Sequence, residues 1–329
     1  MCPNNKQFDS TFKATLAGVK DVLFPKKTDK ILQDTDRIDG QTVLVTGSNT
    51  GLGFAIATKL AKRGGNIIMA VRSGIPEKGQ EIQQLSGNKN VRMEFVELAK
   101  LQSIQDLVLR LKAQNVTIDI LVCNAGMVSA GSKVADNGLD LMFAVNYLST
   151  FYFVNLLLQH QIIKPKNRPR PRLIFVASES HRVNFPIDYT TFGQPVPYSA
   201  AKVVKFYGYY KLLLTIFGVE LHRRYANEGN DLSIFTLCPG AVHSDISRNS
   251  PSVLKPILWL VFKAFFQTPT KASRPAVYFA CSPKMEGQSN VYLHIMQEKL
   301  MADAAYVEEN GKKVWAASEQ LLKELGSPL

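Results

Sequence analysis

At 329 residues with 46% hydrophobic residues, the chain has enough apolar material for one large α/β domain or two small ones. Its four cysteines show neither metal-site spacing nor a disulfide framework. This excludes a secreted domain held together by disulfides and predicts a protein of an intracellular, reducing compartment. No metal site is predicted. The net charge of +12 is partly clustered, because residues 164–172 carry five cations.

Alternating prolines predict that the basic segment 164–172 is an extended, exposed loop. One interpretation is a solvated connection before a strand, and another is attraction to anionic phospholipid. No nucleic-acid partner is predicted, because neither interleaved aromatic residues nor a nucleic-acid motif accompanies the charge.

Residues 1–40 are predicted to form an N-terminal amphipathic extension, with a polar start that lacks a secretory signal. No apolar run is expected to reach the roughly 20 residues that span a bilayer. The extension and the apolar segment Ile257–Phe266 either pack against the domain or attach peripherally to an intracellular membrane. The apolar stripe of the extension consists of Phe8, Phe12, Leu16, Val19 and Leu23.

A strand-helix-strand unit is predicted for residues 41–72. Val43–Val45 suits a buried parallel strand, a helical apolar pattern follows, and Ile67–Val71 suits a second strand. Between strand and helix, glycines allow a pyrophosphate to approach the backbone, and the first helical turn offers it free N–H groups. The predicted cofactor-binding residues of this loop are Gly47, Ser48, Asn49, Gly51, Leu52 and Gly53.

Arg72 follows the second strand, where dinucleotide folds select between cofactors. An acidic residue there binds the adenosine ribose hydroxyls, whereas a cation accommodates a 2′-phosphate. Because Arg72 has no acidic neighbour before Glu77, it favours NADP(H) over NAD(H).

The loop sequence TGSNTGLG, framed by strand and helix, resembles the cofactor loop of the short-chain dehydrogenase/reductase family. Further motifs extend the resemblance, to the retinol-dehydrogenase-like branch, over about residues 40–295. It implies an α/β fold with a single Rossmann-type, doubly wound parallel sheet of about seven strands and helices on both faces. This domain would span residues 41–300, with a substrate lid at about 245–275 and a C-terminal helical tail at 301–329.

The resemblance implies further site residues after the middle strands. Asn124–Gly126 resembles the family's Asn-Ala-Gly turn, whose Asn124 and Gly126 line the cofactor cleft. Asn146 matches a helix asparagine that holds a water for proton relay. Ser178 occupies the position of the serine that binds the substrate carbonyl, and Ser180 is a second candidate.

The family's Tyr-x-x-x-Lys motif occurs twice, as Tyr198 with Lys202 and as Tyr207 with Lys211. In both, the spacing puts phenol and ammonium on one helix face. The sequence after Tyr207, and the length of chain to Pro239, resemble the retinol-dehydrogenase-like branch. The prediction is therefore Tyr207 and Lys211, for catalysis and cofactor contact, with Tyr198 and Lys202 as the alternative.

After the sixth strand, the sequence PGAVHS resembles the family's Pro-Gly-x-Val-x-Thr segment, which contacts the nicotinamide. By this resemblance the cofactor-binding residues also include Pro239, Gly240, Val242 and Ser244. The third strand ends at Glu97, where the family usually carries aspartate, and no role is assigned to it.

Together these features predict NADP(H)-dependent interconversion of an alcohol and a carbonyl on a small hydrophobic substrate, such as a retinoid, steroid or other lipid. The ammonium of Lys211 is expected to lower the pKa of Tyr207, which transfers the proton. Ser178 donates to the carbonyl oxygen, and Asn146 connects Lys211 to solvent. The alternative is a nucleotide-binding adaptor with little turnover. A homodimer and a cytoplasmic or membrane-peripheral location are compatible with both hypotheses.

Overall fold

The structure is a computed structural model that describes residues 29–129, 131–166, 169–182, 186–199, 202–227, 232–242 and 267–329. The predicted amphipathic stripe of the N-terminal extension, the segment Ile257–Phe266 and Ser244 lie outside these residues. So does most of the predicted substrate lid.

A single eight-stranded sheet forms the centre of the described chain. Its strands are β1 (Thr42–Thr46), β2 (Asn66–Val71), β3 (Val91–Phe95), β4 (Ile120–Cys123), β5 (Arg172–Val176), β6 (Ser233–Cys238), β7 (Val291–His294) and β8 (Gln297–Lys299). The order is β3-β2-β1-β4-β5-β6-β7-β8. All pairs are parallel except β7 with β8, which adds one antiparallel edge strand to the about seven expected.

The helices connect these strands and cover both faces of the sheet. They are α1 (Gly51–Lys62), α2 (Glu77–Ser86), α3 (Leu101–Ala113), α4 (Leu141–Gln159), α5 (Val203–Asn227), α6 (Pro269–Ala272), α7 (Arg274–Cys281), α8 (Asp303–Tyr306) and α9 (Glu308–Glu324). Short 3₁₀ turns occupy Glu179–Arg182 and Pro283–Met285.

Two hydrophobic clusters lie on opposite faces of the sheet, as the alternation of side chains along a strand requires. Leu44 and Ile68 belong to the cluster that includes side chains of α3, α4, α5 and α9. Their neighbours Val45 and Met69 belong to the cluster that includes α1 and α7. The sheet is therefore buried on both sides, which explains why its central strands are apolar runs.

Helix α4 is long and apolar enough, by length and composition, to cross a membrane, so the expectation that the chain holds no such segment is wrong. However, 83% of its most apolar window is buried inside the protein, as in the core helix of a globular domain. Within it, Ala144–Leu148 forms a π-helical turn that contains Asn146. Such turns are frequent at functional sites.

The predicted basic loop ends in a buried cation. The side chain of Arg172 donates hydrogen bonds to the carbonyl oxygens of Phe279, Ala280 and Ser282 at 2.9–3.1 Å, and forms an ion pair with Glu286 at 3.0 Å. Exposure of this cation was therefore wrongly expected, because Arg172 satisfies the carbonyl oxygens at the C-terminal end of α7.

Candidate functional site

The glycine loop after β1 packs closely on the turn after β4, at the point where the strand order reverses. Gly47 has φ +62°, and a Cβ added there would lie 3.0 Å from the Cα of Ala125. A Cβ added at Gly53 would lie 2.3 Å from the oxygen of Gly47 and 2.4 Å from Nδ2 of Asn124. Both positions therefore require glycine. Without side chains at these positions, a ligand can approach the backbone of the loop closely.

Helix α1 begins at Gly51, and its first turn fits an anionic ligand. Within the described chain, Thr50 at the N-cap makes no side-chain hydrogen bond to the helix, and the first turn carries no acidic residue. The first N–H groups of the helix thus remain available to a phosphate. Together with the glycine cradle, this arrangement fits the pyrophosphate of a dinucleotide.

Three side chains of the predicted loop support its shape. The hydroxyl of Ser48 is buried and donates to the oxygen of Val45 at 2.9 Å. Asn49 Nδ2 donates to Oγ of Ser73 at 3.0 Å, and Leu52 packs against the core. We therefore assign any ligand contact of Ser48 to its main chain.

Arg72 is exposed at the carboxyl end of β2, and Glu97 faces it. Nη1 of Arg72 lies 3.6 Å from Oε2 of Glu97. Arg72 has no acidic neighbour nearby in the chain, but the parallel pairing of β2 with β3 brings Glu97 next to it. A ligand phosphate at Arg72 would therefore compete with Glu97.

The turn after β4 is tied to β1 by hydrogen bonds. Asn124 Nδ2 donates to the oxygens of Thr46 and Gly47 at 3.0 and 3.1 Å. In return, Oγ1 of Thr46 accepts from the main-chain N–H groups of Asn124 and Ala125, each at 3.1 Å. Thr46 was not predicted as a site residue. Its position as a polar residue at the end of an apolar strand is the signal that could have identified it.

Asn146 and Lys211 meet beside Gly126. A Cβ added at Gly126 would lie 2.7 Å from Oδ1 of Asn146 and 3.4 Å from Nζ of Lys211. The Asn146 amide exchanges two hydrogen bonds of 2.9 Å with the main chain of Met127, which fixes its orientation. Gly126 thus leaves room for the two polar groups to share one small space.

Lys211 is a buried cation, only 2% exposed, that reaches the end of β5. Its Nζ donates to the oxygen of Val176 at 2.9 Å. Burial lowers the pKa of Lys211 to about 8, because the charged form loses hydration.

Ser178 immediately precedes the 3₁₀ turn after β5, and its hydroxyl oxygen accepts hydrogen bonds from Ser180. Ser180 Oγ donates to Ser178 Oγ at 2.9 Å, and the Ser180 N–H approaches the same atom at 3.3 Å. Because Ser178 Oγ accepts both bonds, its own proton is left to donate elsewhere. Ser180 thus orients Ser178.

Helix α5 docks on this turn at two points. Lys211 bonds to Val176, and a Cβ added at Gly208 would lie only 2.4 Å from the oxygen of Ser180. Tyr207 precedes Gly208, and Ser178 lies between Val176 and Ser180 in the chain. The docking therefore brings Tyr207 and Ser178 to the same end of β5.

The pKa of Tyr207 differs from the expectation. Lys211 Nζ lies 5.8 Å from the centre of the Tyr207 ring, yet burial raises the pKa of the phenol above its ordinary value. The predicted lowering is therefore wrong for the protein alone, since loss of hydration outweighs an ammonium that is turned toward Val176.

The alternative pair, Tyr198 and Lys202, has other surroundings. The Tyr198 hydroxyl is 3.4 Å from Oδ2 of the buried Asp140, and its ring stacks on Phe206 at 4.3 Å. Lys202 is exposed. Tyr198 therefore supports the Asp140 carboxylate, and Lys202 faces solvent.

The segment after β6 reaches the same edge of the sheet. Pro239 is buried, Gly240 has φ +80°, and Val242 forms a parallel bridge with Gln267. Gln267 also donates to the oxygen of Pro239 at 3.3 Å. Ser244 was predicted to contact the cofactor and lies outside the described residues.

The cysteines beside the site are buried thiols. Cys123 and Cys238 end β4 and β6, and both are buried, free thiols. Among the described residues, no group of three or more His, Cys, Asp or Glu side chains could hold a metal ion.

Comparison with known proteins agrees with this geometry. Residues 41–253 match the family model described as short chain dehydrogenase. Retinol dehydrogenase 13 of Mus musculus is 32% identical over 87% of this chain and 84% of its own length. Polyprenol dehydrogenase of Homo sapiens is 26% identical over 92% and 87%.

A solved structure of an uncharacterized protein from Mycobacterium paratuberculosis shares the fold, with a TM-score of 0.66 and 24% identity over 87% of this chain and 95% of that one. The topology of the sheet, the glycine loop and the matched relatives all indicate the same family. The chain belongs to the short-chain dehydrogenase family, in its retinol-dehydrogenase-like branch of nicotinamide-dependent oxidoreductases acting on alcohol and carbonyl groups.

Proposed function

We propose that the protein is an NADP(H)-dependent oxidoreductase that interconverts an alcohol and a carbonyl on a hydrophobic substrate such as a retinoid, steroid or other lipid. The docking of α5 on the end of β5, through Lys211 and Gly208, is the observation that carries the proposal, because it brings Tyr207 and Ser178 to the same end of that strand. Retinol and polyprenol, named for two relatives, are both lipid alcohols.

In the direction of reduction, Ser178 donates a hydrogen bond to the carbonyl oxygen, where negative charge develops. Tyr207 transfers its phenolic proton to the same oxygen. Lys211 stabilises the phenolate left behind, and Asn146 connects it to solvent through water. A bound nicotinamide supplies the hydride in this direction and accepts it in the other.

The proposed preference for NADP(H) rests on Arg72. Its guanidinium is exposed at the end of β2, where a cation suits a 2′-phosphate. The glycine cradle and the start of α1 would hold the pyrophosphate.

Two matched variants test the catalytic assignment. For each, the rate of reduction of a panel of lipophilic aldehydes and ketones is measured from the loss of NADPH absorbance. Tyr207→Phe should lower kcat by about 10²- to 10⁴-fold, the usual contribution of a general acid. Tyr198→Phe should retain kcat and lower the melting temperature, because Asp140 loses a donor. The reverse pattern would assign catalysis to Tyr198, and cofactor binding without turnover of any substrate would favour the adaptor.

A further inference from the structure

His181 is a fully buried titratable side chain beside Ser178 that the proposed chemistry does not use. It lies in the 3₁₀ turn that starts after Ser178. Its Nδ1 is 2.6 Å from the oxygen of Ser178, and its Nε2 is 3.1 Å from the main-chain nitrogen of Ala302.

These two contacts define the tautomer of the ring. The N–H of Ala302 can only donate, so Nε2 of His181 carries no proton and accepts this bond. The proton is therefore on Nδ1, which donates to the oxygen of Ser178. With both nitrogens bonded to the main chain and 0% exposure, the imidazole cannot reach a substrate.

Ser178 is consequently held from two sides. Its main-chain oxygen accepts from the ring of His181 and from the N–H of the same residue, the latter at 3.0 Å. Its hydroxyl oxygen accepts from Ser180. The ring bond thus completes a set that fixes the backbone and the side chain of Ser178 together.

The same turn is anchored in the C-terminal part of the chain. Arg182 donates to the oxygen of Leu300, the hydroxyl of Tyr292 donates to Glu179, and His181 accepts from Ala302. We call Glu179, His181 and Arg182, with these three partners, the serine clamp. The clamp connects Ser178 to residues 292–302, more than a hundred positions later in the chain.

We propose that His181 is a positioning residue, whose neutral imidazole aligns Ser178 with the substrate oxygen and couples that alignment to the segment around Ala302. This inference rests on the proposed function, because it requires Ser178 to donate to the substrate. It adds a residue that acts through Ser178 without contact with substrate or cofactor.

The surroundings keep the imidazole neutral. Burial lowers the pKa of His181 to about 4, although the carboxylate of Glu179 opposes this shift. Arg182 and His294 lower the pKa further, and the phenol ring of Tyr292 packs edge-on against the imidazole with ring centres 5.4 Å apart. Both hydrogen bonds of the ring therefore persist at neutral pH.

The test uses two substitutions in the full chain, made in the wild-type protein and in Ser178→Ala. His181→Phe removes both bonds and should lower kcat about 10- to 100-fold, since a misplacement of about 1 Å costs up to about 100-fold. The Kd for NADPH should change less than about twofold. His181→Asn keeps a donor near the position of Nδ1 and should recover most of the lost kcat.

The Ser178→Ala variant distinguishes an effect of His181 on the position of Ser178 from a general disruption of the fold. If His181 acts through Ser178, His181→Phe has no further effect on the residual kcat of Ser178→Ala. Losses that multiply in the double variant, or an Asn variant as impaired as the Phe variant, overturn the inference and leave the proposed function intact. Full activity of Ser178→Ala and Tyr207→Phe overturns the proposed function instead.

A direct measurement does not depend on turnover. ¹⁵N NMR of the histidine rings, assigned by comparison with His181→Asn, should show a protonated Nδ1 and a bare Nε2 from about pH 5.5 to 8. A proton on Nε2 in this range would contradict the assigned bonds. This measurement and the Asn variant decide the question even if the Phe variant does not fold.

Discussion

Lys211, which the proposed mechanism uses, lowers the stability of the folded protein. Its ammonium is buried, and its hydrogen bond to the oxygen of Val176 replaces only part of its hydration. The folded protein lowers the pKa of this group from 10.5 to about 8. The unfolded chain therefore binds this proton more tightly, and below about pH 8 the folded state is destabilised by the charge.

We expect Lys211→Met to abolish turnover and to raise the free energy of unfolding at pH 7 by about 1–3 kcal/mol, since a shift of one pKa unit corresponds to about 1.4 kcal/mol. The advantage over wild type should shrink between about pH 8 and 10.5, where the wild-type folded state releases the proton and the unfolded chain retains it. Urea unfolding followed by circular dichroism at several pH values measures both. A difference that stays constant with pH would contradict the assigned shift.

Arg72 and Glu97 give a second prediction for single residues, on cofactor preference. Arg72→Ala should lower the ratio of kcat/KM for NADPH to that for NADH about 10- to 100-fold, because it removes a charged hydrogen bond. Glu97→Gln should raise the ratio about twofold to fivefold, because it removes a competitor 3.6 Å from Arg72. Arg37→Ala, which removes an exposed cation paired with Asp39, is the control. An unchanged ratio in Arg72→Ala would exclude a 2′-phosphate contact.

At the scale of elements, the position of α5 depends on Gly208. A Cβ there would lie 2.4 Å from a main-chain oxygen, which has little freedom to move. We expect Gly208→Ala to push α5 away from the turn after β5, lowering kcat about 100-fold and stability by about 1–3 kcal/mol. Kinetics and thermal melting measure the two effects. Gly131→Ala is the control, because its Cβ would meet its nearest neighbour at 3.7 Å, and equal behaviour of the variants would argue against close docking.

Much of the fold could be predicted because its signals are local. Apolar runs marked the central strands, and the glycine pattern marked the loop between β1 and α1. The two Tyr-x-x-x-Lys motifs could not be separated by helical spacing alone. Burial of Tyr198 against Asp140, and the approach of Gly208 to Ser180, depend on residues far apart in the chain.

Predictions that relied on neighbours in the sequence were the least accurate. Arg72 forms its ion pair with Glu97 because β2 pairs with β3. Arg172 is buried because α7 ends beside it. The π-helical turn around Asn146 has no periodic pattern that a sequence could show. Tertiary contacts of this kind set the charges of the site, whereas local patterns set its location.

On the scale of the whole molecule, helix α9 of the C-terminal segment packs into the core. Trp315 of α9 is 7% exposed and packs against Phe151 of α4 and Phe217 of α5, with ring centres 5.1 and 5.8 Å away. The guanidinium of Arg224 lies 3.9 Å from the centre of the Trp315 ring. Helix α9 thus packs against α4 and α5, the two helices that carry Asn146 and Lys211.

We therefore expect Trp315→Ala to destabilise the protein by about 3–5 kcal/mol, as for other large aromatic side chains removed from a core. Leu109→Ala on α3 is the control, because this leucine is 53% exposed and should change stability by less than about 0.5 kcal/mol. Urea unfolding followed by far-ultraviolet circular dichroism compares the two without relying on tryptophan fluorescence. Similar midpoints would mean that α9 is dispensable. A selective loss of stability in Trp315→Ala would show that the segment after β8 stabilises α4 and α5, the helices that carry Asn146 and Lys211.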